Sequence, residues 1–504
     1  MALSDELLRL RTPNTSLTVY KTLPLGQVET LLARAGWTPA GPPLLPHQKR
    51  GVLAGLRQPH VLFRYEQGLG KTKMLLDLLA TCRARDPTMR GVALGPSTTS
   101  TFDWVQEAKR HRPELRVIAC PENPDQKRAQ FLPEFLKGEW DLAVLDYISL
   151  QTLFTLRSGR AMAPNFPLLT QAAKRFSWVA LDEIHLAKSR TTLRAELLGA
   201  FVEHATRRYG ATGTLFNQDP SEAWMQAHLL DGGETLGKWV GAFRTLYCKR
   251  IPNRWTQYDY QFDQSKLPAF QARLEGLMLS YSQDETVELP GLHQVRPVLT
   301  MTPEQQLFYA NILEGVRKQR EAGELTGAWV KLRRILSGFT PTDPPVPLAE
   351  SPKCAWLVRT IQQAPEPWVV FYEYTESGRA VTDALQAIGQ RVGWLYSGTV
   401  DRRAMRHAWE KGEIDVLVVQ NAVGAQALNL QRARRLAFFE SPCSAITRSQ
   451  AERRIYRIGQ TREAYIYDLF FPHTVEAKVV QRALAGISLH QAVLESVQAA
   501  NASP

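Results

Sequence analysis

Cysteine is scarce in this chain, and its placement suits neither disulfides nor zinc. The five cysteines among the 504 residues lie far apart, and no two have Cys-x-x-Cys spacing. Secreted disulfide-rich domains and zinc-binding modules both need closely spaced cysteines. The sequence therefore predicts no zinc site, and it predicts a protein that folds in a reducing compartment of the cell.

Long apolar runs are also missing. No run reaches the roughly 18 residues that a membrane-spanning helix needs. Residues 1–10 carry charges where a secretory signal would have an apolar core. We therefore expect a soluble intracellular protein with no membrane association.

Acidic residues are outnumbered by basic ones, 49 to 61, which gives a formal net charge of +12. Such an excess favours a polyanionic partner, and nucleic acid is the first candidate. A chain of this length suggests two to four domains, with ample residues to bury a core. Short-period repeats and long low-complexity tracts are absent.

The segment from His60 to Ala80 has the pattern of a strand, a glycine turn and a helix. Gly68 and Gly70 allow backbone N–H groups to approach a phosphate without a Cβ in the way, and a helix N-terminus attracts the anion. In such loops a lysine binds the β- and γ-phosphates and a hydroxyl ligates Mg²⁺. The sequence thus predicts an ATP- and Mg²⁺-binding loop made by Gly68, Leu69, Gly70, Lys71 and Thr72.

Gln48 precedes this loop, beside a predicted helix over residues 49–56. An amide just upstream of a phosphate loop can bind the adenine edge, so we add Gln48 to the nucleotide-binding residues; the alternative is a surface glutamine. The first position of the loop motif is Tyr65, where Gly or Ala is usual. An ordinary glycine turn before a helix is therefore the alternative for the loop.

A second motif follows a run of apolar residues, Trp178 to Leu181, that predicts a buried parallel strand. Asp182 and Glu183 come directly after it, and a carboxylate at the end of such a strand lies on the ligand-binding edge of an α/β sheet. We predict that Asp182 holds Mg²⁺ together with Thr72, and that Glu183 orients or deprotonates the attacking water. The alternative is a solvated turn.

Strands and helices alternate twice along the chain, which predicts an α/β protein with two doubly wound parallel-sheet lobes. The expected divisions are an N-terminal segment without an assigned role (1–43), a first lobe (44–231), a mainly helical insert (232–339), a proline-rich linker (340–352) and a second lobe with C-terminal helices (353–504). Strands of the second lobe are predicted at 368–374, 391–396, 415–419, 434–439 and 464–470. This second lobe has no phosphate loop.

Two groups of residues are candidates for nucleic-acid contact. Ser97 and Thr98 follow a predicted strand, where hydroxyls can donate to backbone phosphates; the alternative is a helix N-cap. In the insert, Lys249, Arg250 and Arg254 lie among aromatic residues in a stretch predicted as helical. A solvated helix face over an aromatic core is the alternative for these three.

The second lobe carries an arginine pair near its end, Arg454 and Arg457, preceded by Gln450. Residues three apart share one face of a helix. Arginines at a lobe interface can stabilise the charge on a transferring phosphoryl group. The alternative is an ordinary basic helix face.

Taken in order, these motifs resemble those of superfamily-two helicases and, in detail, those of the Swi/Snf-type ATPases. The loop sequence Glu-Gln-Gly-Leu-Gly-Lys-Thr at 66–72 is similar to that family's Glu-Met-Gly-Leu-Gly-Lys-Thr. Its other motifs are matched by Gly95-Pro96 with Trp104 and Glu107, by Gln450-Ala451 with Arg454, Arg457 and Ile458-Gly459-Gln460, and by Thr474-Val475-Glu476. The resemblance covers residues 44–485.

Two stretches depart from the family pattern. Leu215 follows Thr214 where proline is usual, and Ala425 and Ala427 stand where glycines are usual. No chromodomain, bromodomain, ring-finger or nuclease motif is recognisable. The chain therefore resembles a bare two-lobe motor of the bacterial or phage type, which implies a cytoplasmic location, or a nuclear one if the source is eukaryotic.

The resemblance implies two RecA-like lobes with ATP between them and double-stranded DNA across them. The catalytic residues would be Lys71, Asp182, Glu183, Arg454 and Arg457. The residues that couple nucleotide state to movement would be His185, Thr212, Thr214 and Gln450. We expect a monomer, and the sequence names no loading partner.

The sequence thus predicts an ATP-driven motor that translocates on double-stranded DNA. One alternative is a helicase that separates the strands of DNA or RNA, although no wedge element is recognisable. A non-motor alternative is an ATP-gated nucleic-acid-binding protein or a subunit of a restriction or defence complex. A pure switch would not need the carboxylate of Glu183.

Overall fold

The computed structural model describes residues 16–484, apart from 159–160, 188–191, 217–218, 254–256, 284, 287–288, 319–321, 400, 425–429 and 458. The chain divides into two compact units, Met1–Val287 and Glu288–Pro504. Each unit has one parallel sheet with helices, which confirms the predicted fold class. The segment predicted as an insert, 232–339, is shared between the two units.

The first unit alternates strands and helices along most of its length. Its helices are α1 (Val19–Thr22), α2 (Leu25–Arg34), α3 (Pro46–Arg57), α4 (Lys71–Arg85), α5 (Thr98–His111), α6 (Pro124–Gln126), α7 (Leu132–Lys137), α8 (Tyr147–Phe154), α9 (Phe166–Ala173), α10 (Leu193–Val202), α11 (Ala223–Asp231), α12 (Val240–Tyr247) and α13 (Leu267–Leu274). Its strands are β1 (His60–Tyr65), β2 (Gly91–Gly95), β3 (Val117–Ala119), β4 (Leu142–Asp146), β5 (Thr155–Ser158), β6 (Ala161–Pro164), β7 (Trp178–Asp182), β8 (Arg207–Thr212), β9 (Cys248–Asn253), β10 (Gln257–Phe262) and β11 (Met278–Tyr281). A π-helical turn, Lys127–Phe131, precedes α7.

Seven of these strands form one parallel sheet in the order β11-β1-β8-β7-β2-β4-β3. Leu62 packs into a core with α8, α10 and α11 on one face of the sheet, whereas Val61 and Phe63 are equally buried on the other. Both faces are therefore covered, as expected for a parallel sheet. The carboxyl ends of β1, β7 and β8 consequently lie side by side at one edge.

One sequence-based assignment in the first unit is wrong. The stretch 243–254, predicted as helical, leaves the helix after Tyr247 and continues as β9, which pairs antiparallel with β10. Pro252 lacks the N–H that a helix interior needs, and the tyrosines of β10 favour a strand.

The second unit repeats the alternation. Its helices are α14 (Pro303–Lys318), α15 (Ala322–Leu336), α16 (Pro352–Gln363), α17 (Thr375–Ala387), α18 (Arg402–Lys411), α19 (Asn421–Gly424), α20 (Ala445–Ile455) and α21 (Val475–Leu484). Its strands are β12 (Leu292–Val295), β13 (Trp368–Tyr372), β14 (Val392–Leu395), β15 (Val416–Gln420), β16 (Arg435–Phe438) and β17 (Ala464–Asp468), parallel in the order β12-β17-β16-β13-β15-β14. Five of these six strands are the ones predicted. Among the described residues, no helix is both long enough and apolar enough to cross a membrane.

Buried ion pairs connect the elements of the second unit. Arg448 of α20 binds both carboxylate oxygens of Asp468 at the end of β17, and the two side chains are 2% and 0% exposed. Lys353 and Glu476, also buried, lie 2.6 Å apart. A buried charge left without its partner is far more costly than an exposed one. These pairs therefore hold α20 against the end of β17, and α16 against α21.

Replacing Arg448 by Met should destabilise the chain by about 3–5 kcal/mol, because the Asp468 carboxylate would remain buried and unpaired. The matched control is Arg406→Met on α18, whose partner Glu410 is 44% exposed. That variant should lose less than about 0.5 kcal/mol. Urea unfolding of the complete chain, followed by tryptophan fluorescence, measures both. Equal losses in the two variants would contradict this account.

Candidate functional site

The glycine turn between β1 and α4 is shaped for backbone contact with an anion. Gly68 and Gly70 both have positive φ, 85° and 70°, and Gly70 caps α4 in the left-handed conformation. A Cβ at Gly70 would come within 2.2 Å of the amide nitrogen of Gln48. The turn therefore needs glycine there for its backbone angles and for its close packing.

Lys71 is held at this loop by the loop's own backbone. Its Nζ donates to the carbonyl oxygen of Tyr65 at 2.9 Å and to that of Glu66 at 3.4 Å. Thr72 is the next residue of the first turn of α4, and it is half-buried. The predicted lysine and hydroxyl therefore lie together at the N-terminus of α4.

Gln48 is only 4% exposed, and its amide supports the loop from below the surface. Its nitrogen donates to the carbonyl oxygens of Leu69 at 3.0 Å and Gly70 at 3.3 Å, and its oxygen accepts from the N–H of Leu45 at 2.9 Å. His47 Nε2 lies 3.0 Å from the same Leu69 oxygen, and burial lowers the pKa of His47. Sequence reasoning missed His47, whose only signal was its place beside Gln48.

Tyr65, where such loops usually have a small residue, is accommodated inside the first unit. Its ring is fully buried, and its hydroxyl donates to the carbonyl oxygen of His47 at 3.1 Å. A Cβ on Gly51 of α3 would lie only 2.6 Å from that hydroxyl and 2.2 Å from the sulfur of Met74. A glycine on the neighbouring helix thus makes the room that the larger loop residue takes.

Strand β11 supports the loop from the other side. The N–H of Glu66 donates to the carbonyl oxygen of Tyr281 at 3.0 Å. Gln283 donates from its N–H to the Glu66 carboxylate at 2.9 Å and from its amide to the Gln67 carbonyl at 3.1 Å. Sequence reasoning missed Gln283 because it lies about two hundred residues beyond the loop that it contacts.

Asp182 ends strand β7, as predicted, and its carboxylate is positioned by neighbouring donors. The indole of Trp104 donates to one oxygen at 3.0 Å, and the N–H of Glu183 donates to the other at 3.1 Å. Burial, followed by the neighbouring charge of Glu183, raises the pKa of Asp182 to about 6, and the positive charge of Lys71 opposes that rise. The carboxylate is therefore costly to ionise unless a cation approaches.

Glu183 has an unusual backbone, since its φ of 50° lies in the left-handed region that side-chain-bearing residues rarely adopt. Its carboxylate lies 3.2 Å from His185 Nδ1 and 3.3 Å from the Thr212 hydroxyl oxygen. Strained backbone of this kind is concentrated at functional sites. Here it places the glutamate beside the end of the next strand.

The predicted coupling residues of the first unit form one cluster. Thr212, at the end of β8, is fully buried, and its hydroxyl lies 3.0 Å from His185 Nδ1. The same hydroxyl can donate to the carbonyl oxygen of Thr214 at 2.7 Å and accepts from the Thr214 N–H at 3.1 Å. The carboxylate of Glu183 is thus linked through a single hydroxyl to the backbone of the loop after β8.

These residues suit a hydrated divalent cation with a phosphate. Mg²⁺ prefers oxygen ligands and is bound by one or two carboxylates with phosphate oxygens. The hydroxyl of Thr72 and the carboxylate of Asp182 supply that chemistry, and the raised pKa of Asp182 marks a group whose charge a cation would stabilise. The first unit therefore brings together the glycine loop, the carboxylates of Asp182 and Glu183, and the hydroxyl of Thr212.

Other predicted residues lie elsewhere in the structure. Ser97 is the N-cap of α5, where its hydroxyl oxygen accepts from the Ser100 N–H, and Thr98 is the first residue of that helix. Lys249 and Arg250 are exposed on the hairpin β9–β10. Arg254 lies outside the described residues.

In the second unit, Gln450 and Arg454 are on helix α20, as predicted, but α20 ends at Ile455. Arg457 lies in the bend that follows, so the expectation that the two arginines share a helix face is wrong. Tyr456, the residue after the helix, has φ −100° and ψ 87°, and its hydroxyl donates to the carbonyl oxygen of Pro290 at 2.9 Å. This contact accompanies the turn after Ile455, which the spacing of Arg454 and Arg457 could not predict.

The chain is similar to known proteins over most of its length, although no protein-family model matches it. The SWI/SNF-related matrix-associated actin-dependent regulator of chromatin subfamily A member 1 of Homo sapiens is 23% identical over 495 residues, covering 90% of this chain and 44% of that protein. The ISWI chromatin-remodeling complex ATPase CHR11 of Arabidopsis thaliana is 22% identical over 458 residues, covering 85% and 40%. The chain thus spans less than half of the length of these curated relatives.

Among solved structures, the chain is similar to the SWI2/SNF2 ATPase core of Sulfolobus solfataricus in complex with dsDNA. The identity is 17% and the TM-score 0.41, over 89% of this chain and 92% of the other.

Replacing Asp182 by Asn should stabilise the chain more at neutral than at acid pH. The pKa of Asp182 is about 6 in the fold against an ordinary 3.8, so ionisation of this carboxyl increasingly opposes folding as pH rises from about 4 to 6. Asparagine stays neutral, and the stability of the variant relative to wild type should therefore rise by about 2–3 kcal/mol over that range. Urea unfolding at a series of pH values measures it.

Asp141→Asn is a control of opposite sign in the same unit. Burial raises the pKa of Asp141, but hydrogen bonds from Arg116 outweigh it, so the net shift is downward. This variant should lose stability relative to wild type as pH rises through about 4. A pH-independent difference for Asp182→Asn would show that the carboxyl is not destabilised in the fold.

Proposed function

We propose that this chain, a relative of the SWI/SNF- and ISWI-type ATPases as its motifs predicted, hydrolyses ATP and uses the cycle to move along double-stranded DNA. The observation that carries the proposal is the shared edge of β1, β7 and β8, where the glycine loop, Asp182, Glu183 and Thr212 meet. A binding protein that uses ATP only as a switch needs no carboxylate held there. The name of one relative, a chromatin-remodeling complex ATPase, supports ATP hydrolysis as the activity.

In the proposed reaction the loop binds the phosphates of ATP. Lys71 would exchange the carbonyl oxygens of Tyr65 and Glu66 for oxygens of the β- and γ-phosphates, and the N-terminus of α4 would add its dipole. Thr72 and Asp182 would hold Mg²⁺, which supplies neutralisation of the phosphate charge. Glu183 would orient the attacking water and accept its proton.

The hydroxyl of Thr212 provides a route from this chemistry to movement. The Thr212 hydroxyl contacts Glu183, His185 and the backbone of Thr214. A change in the charge or hydrogen bonding of Glu183 would therefore alter the hydrogen bonds that hold the loop after β8. In this proposal a bound nucleotide would shift the position of the loop through that hydroxyl. We propose that Thr214 and, in the second unit, Gln450 act in the same coupling.

Arg454 and Arg457 are proposed to stabilise the charge that develops on the transferred phosphoryl group. The support is their place in the motif Gln-Ala-x-x-Arg-x-x-Arg-Ile-Gly-Gln at 450–460, which resembles the last motif of the Swi/Snf-type ATPases. Arginines in that role are worth about 10³ to 10⁵ in rate.

The proposed partner is duplex DNA, contacted chiefly through its phosphates. The net charge of +12 supports it, as do the exposed Lys249 and Arg250 and the hydroxyls near the start of α5. We propose that the protein acts as a monomer in the cytoplasm. Strand separation, and service in a restriction or defence complex, are the remaining alternatives.

The first test is hydrolysis itself. Lys71→Ala should weaken ATP binding, because the phosphate charge loses its counter-charge. Glu183→Gln should bind ATP normally and lose turnover, because the isosteric amide cannot accept a proton. Binding of a fluorescent ATP analogue and release of phosphate in the presence of duplex DNA separate the two effects.

Glu196→Gln, an acidic residue in the first turn of α10 and away from the loop, is the matched control and should hydrolyse ATP as wild type does. Normal turnover by Glu183→Gln would refute the assignment of the catalytic carboxylate.

The second test distinguishes tracking along a duplex from separation of its strands. We expect ATP-dependent displacement of a third strand from a DNA triplex and little unwinding of a forked duplex. Affinity for DNA should fall with salt, with a log–log slope of about −0.9 for each phosphate contacted, and should depend little on sequence. Efficient fork unwinding without triplex displacement would favour the strand-separating alternative.

A further inference from the structure

The hairpin β9–β10 presents two different faces. Successive residues of a strand point to opposite sides, and the register pairs Arg250 with Tyr260 and Pro252 with Tyr258. Arg250, Tyr258 and Tyr260 therefore share one side, to which Arg244 of α12 is added. These four residues are called the aromatic face.

The four side chains of the aromatic face contact one another in the order Arg250, Tyr258, Tyr260, Arg244. The guanidinium of Arg250 lies 4.9 Å from the ring centre of Tyr258, and that of Arg244 lies 4.2 Å from the ring centre of Tyr260. The two tyrosine rings are 5.7 Å apart, edge to face. Arg250 and Tyr258 remain exposed, Tyr258 by 36%. Two planar cations and two rings are thus arranged together at the surface.

The opposite face differs in character. It carries Lys249, Ile251 and Asp259, and the ammonium of Lys249 is paired with Asp263 at 3.0 Å. The carboxylate of the hairpin therefore lies away from the aromatic face, whose own charged groups are both cationic. The aromatic face should therefore attract a polyanion, and its rings and guanidinium planes suit a ligand with planar groups. The carboxylate of Asp259 makes the opposite face less favourable for such a ligand.

We infer that the aromatic face binds unpaired nucleobases of a single nucleic-acid strand, which stack on Tyr258, Tyr260 and their arginine partners. Exposed bases stack on aromatic rings and on guanidinium planes largely without regard to sequence. Paired bases inside a duplex have no free ring face to offer. The inference rests on the proposed nucleic-acid binding and adds that the chain engages melted or single-stranded segments.

The test compares two strands that differ only in their bases. Binding of the complete chain to a labelled oligothymidylate and to an abasic phosphodiester strand of equal length is measured by fluorescence anisotropy without ATP. Wild type should bind the thymidylate about five- to 150-fold more tightly, the range expected for stacking of one base. Tyr258→Ala should lose most of this preference, and Tyr258→Phe should keep it, because the ring rather than the hydroxyl provides the contact.

Lys249→Ala is the matched control, since it removes one positive charge from the opposite face. It should weaken binding of both strands by the same factor and leave the preference for thymidylate intact. Thermal unfolding of each variant shows whether Tyr258→Ala has lost stability. If it has, two other variants test the inference: Tyr258→Phe should keep the preference for thymidylate, and Arg250→Ala should lose it.

Equal affinity of wild type for the two strands would overturn the inference. So would a Tyr258→Ala variant that loses affinity only for duplex DNA, because a two-stranded ribbon also fits a major groove. The binding assay contains no ATP. A failure of the protein to hydrolyse ATP would therefore refute the proposed motor activity and leave this result unaffected.

Discussion

The pairing of three parallel strands is the constraint on which the candidate site depends. Arg64 of β1 is paired with Thr212 of β8, and Ala211 of β8 with Asp182 of β7. Because parallel strands end at the same edge, this register brings a loop at residue 65, a carboxylate at 182 and a hydroxyl at 212 together. A shift by one residue would turn each side chain to the other face of the sheet.

Within that frame, support for the phosphate loop comes from outside it. Gln48 and His47 hold the carbonyl oxygen of Leu69, and Gln283 holds the backbone of Gln67. The loop is therefore fixed by one segment before it and one far after it. Such preorganisation reduces the ordering cost that a ligand would otherwise carry.

The sequence predicted what local pattern determines and missed what distant contacts determine. The strand at 178–182 is a short apolar run before two carboxylates, and the turn at 66–72 needs its glycines, so both were recognisable from neighbouring residues. The contact of Gln283 with the loop and the contact of Tyr456, just after the end of α20, join residues 216 and 166 positions apart along the chain. The stretch 243–254 was predicted as helix from its mixture of aromatic and basic residues, although Pro252 disfavours a helix interior and residues 257–262 alternate polar and aromatic side chains as a strand does.

The packing of Tyr65 against Gly51 has a consequence for the evolution of this chain. The Met74 sulfur and the Tyr65 hydroxyl together fill the space that a side chain at position 51 would take, so position 51 cannot take a larger residue alone without a clash. In related sequences a larger residue at position 51 should accompany smaller ones at positions 65 and 74. The residue at position 51, which belongs to no motif, should therefore indicate whether the first position of the loop holds a large or a small residue.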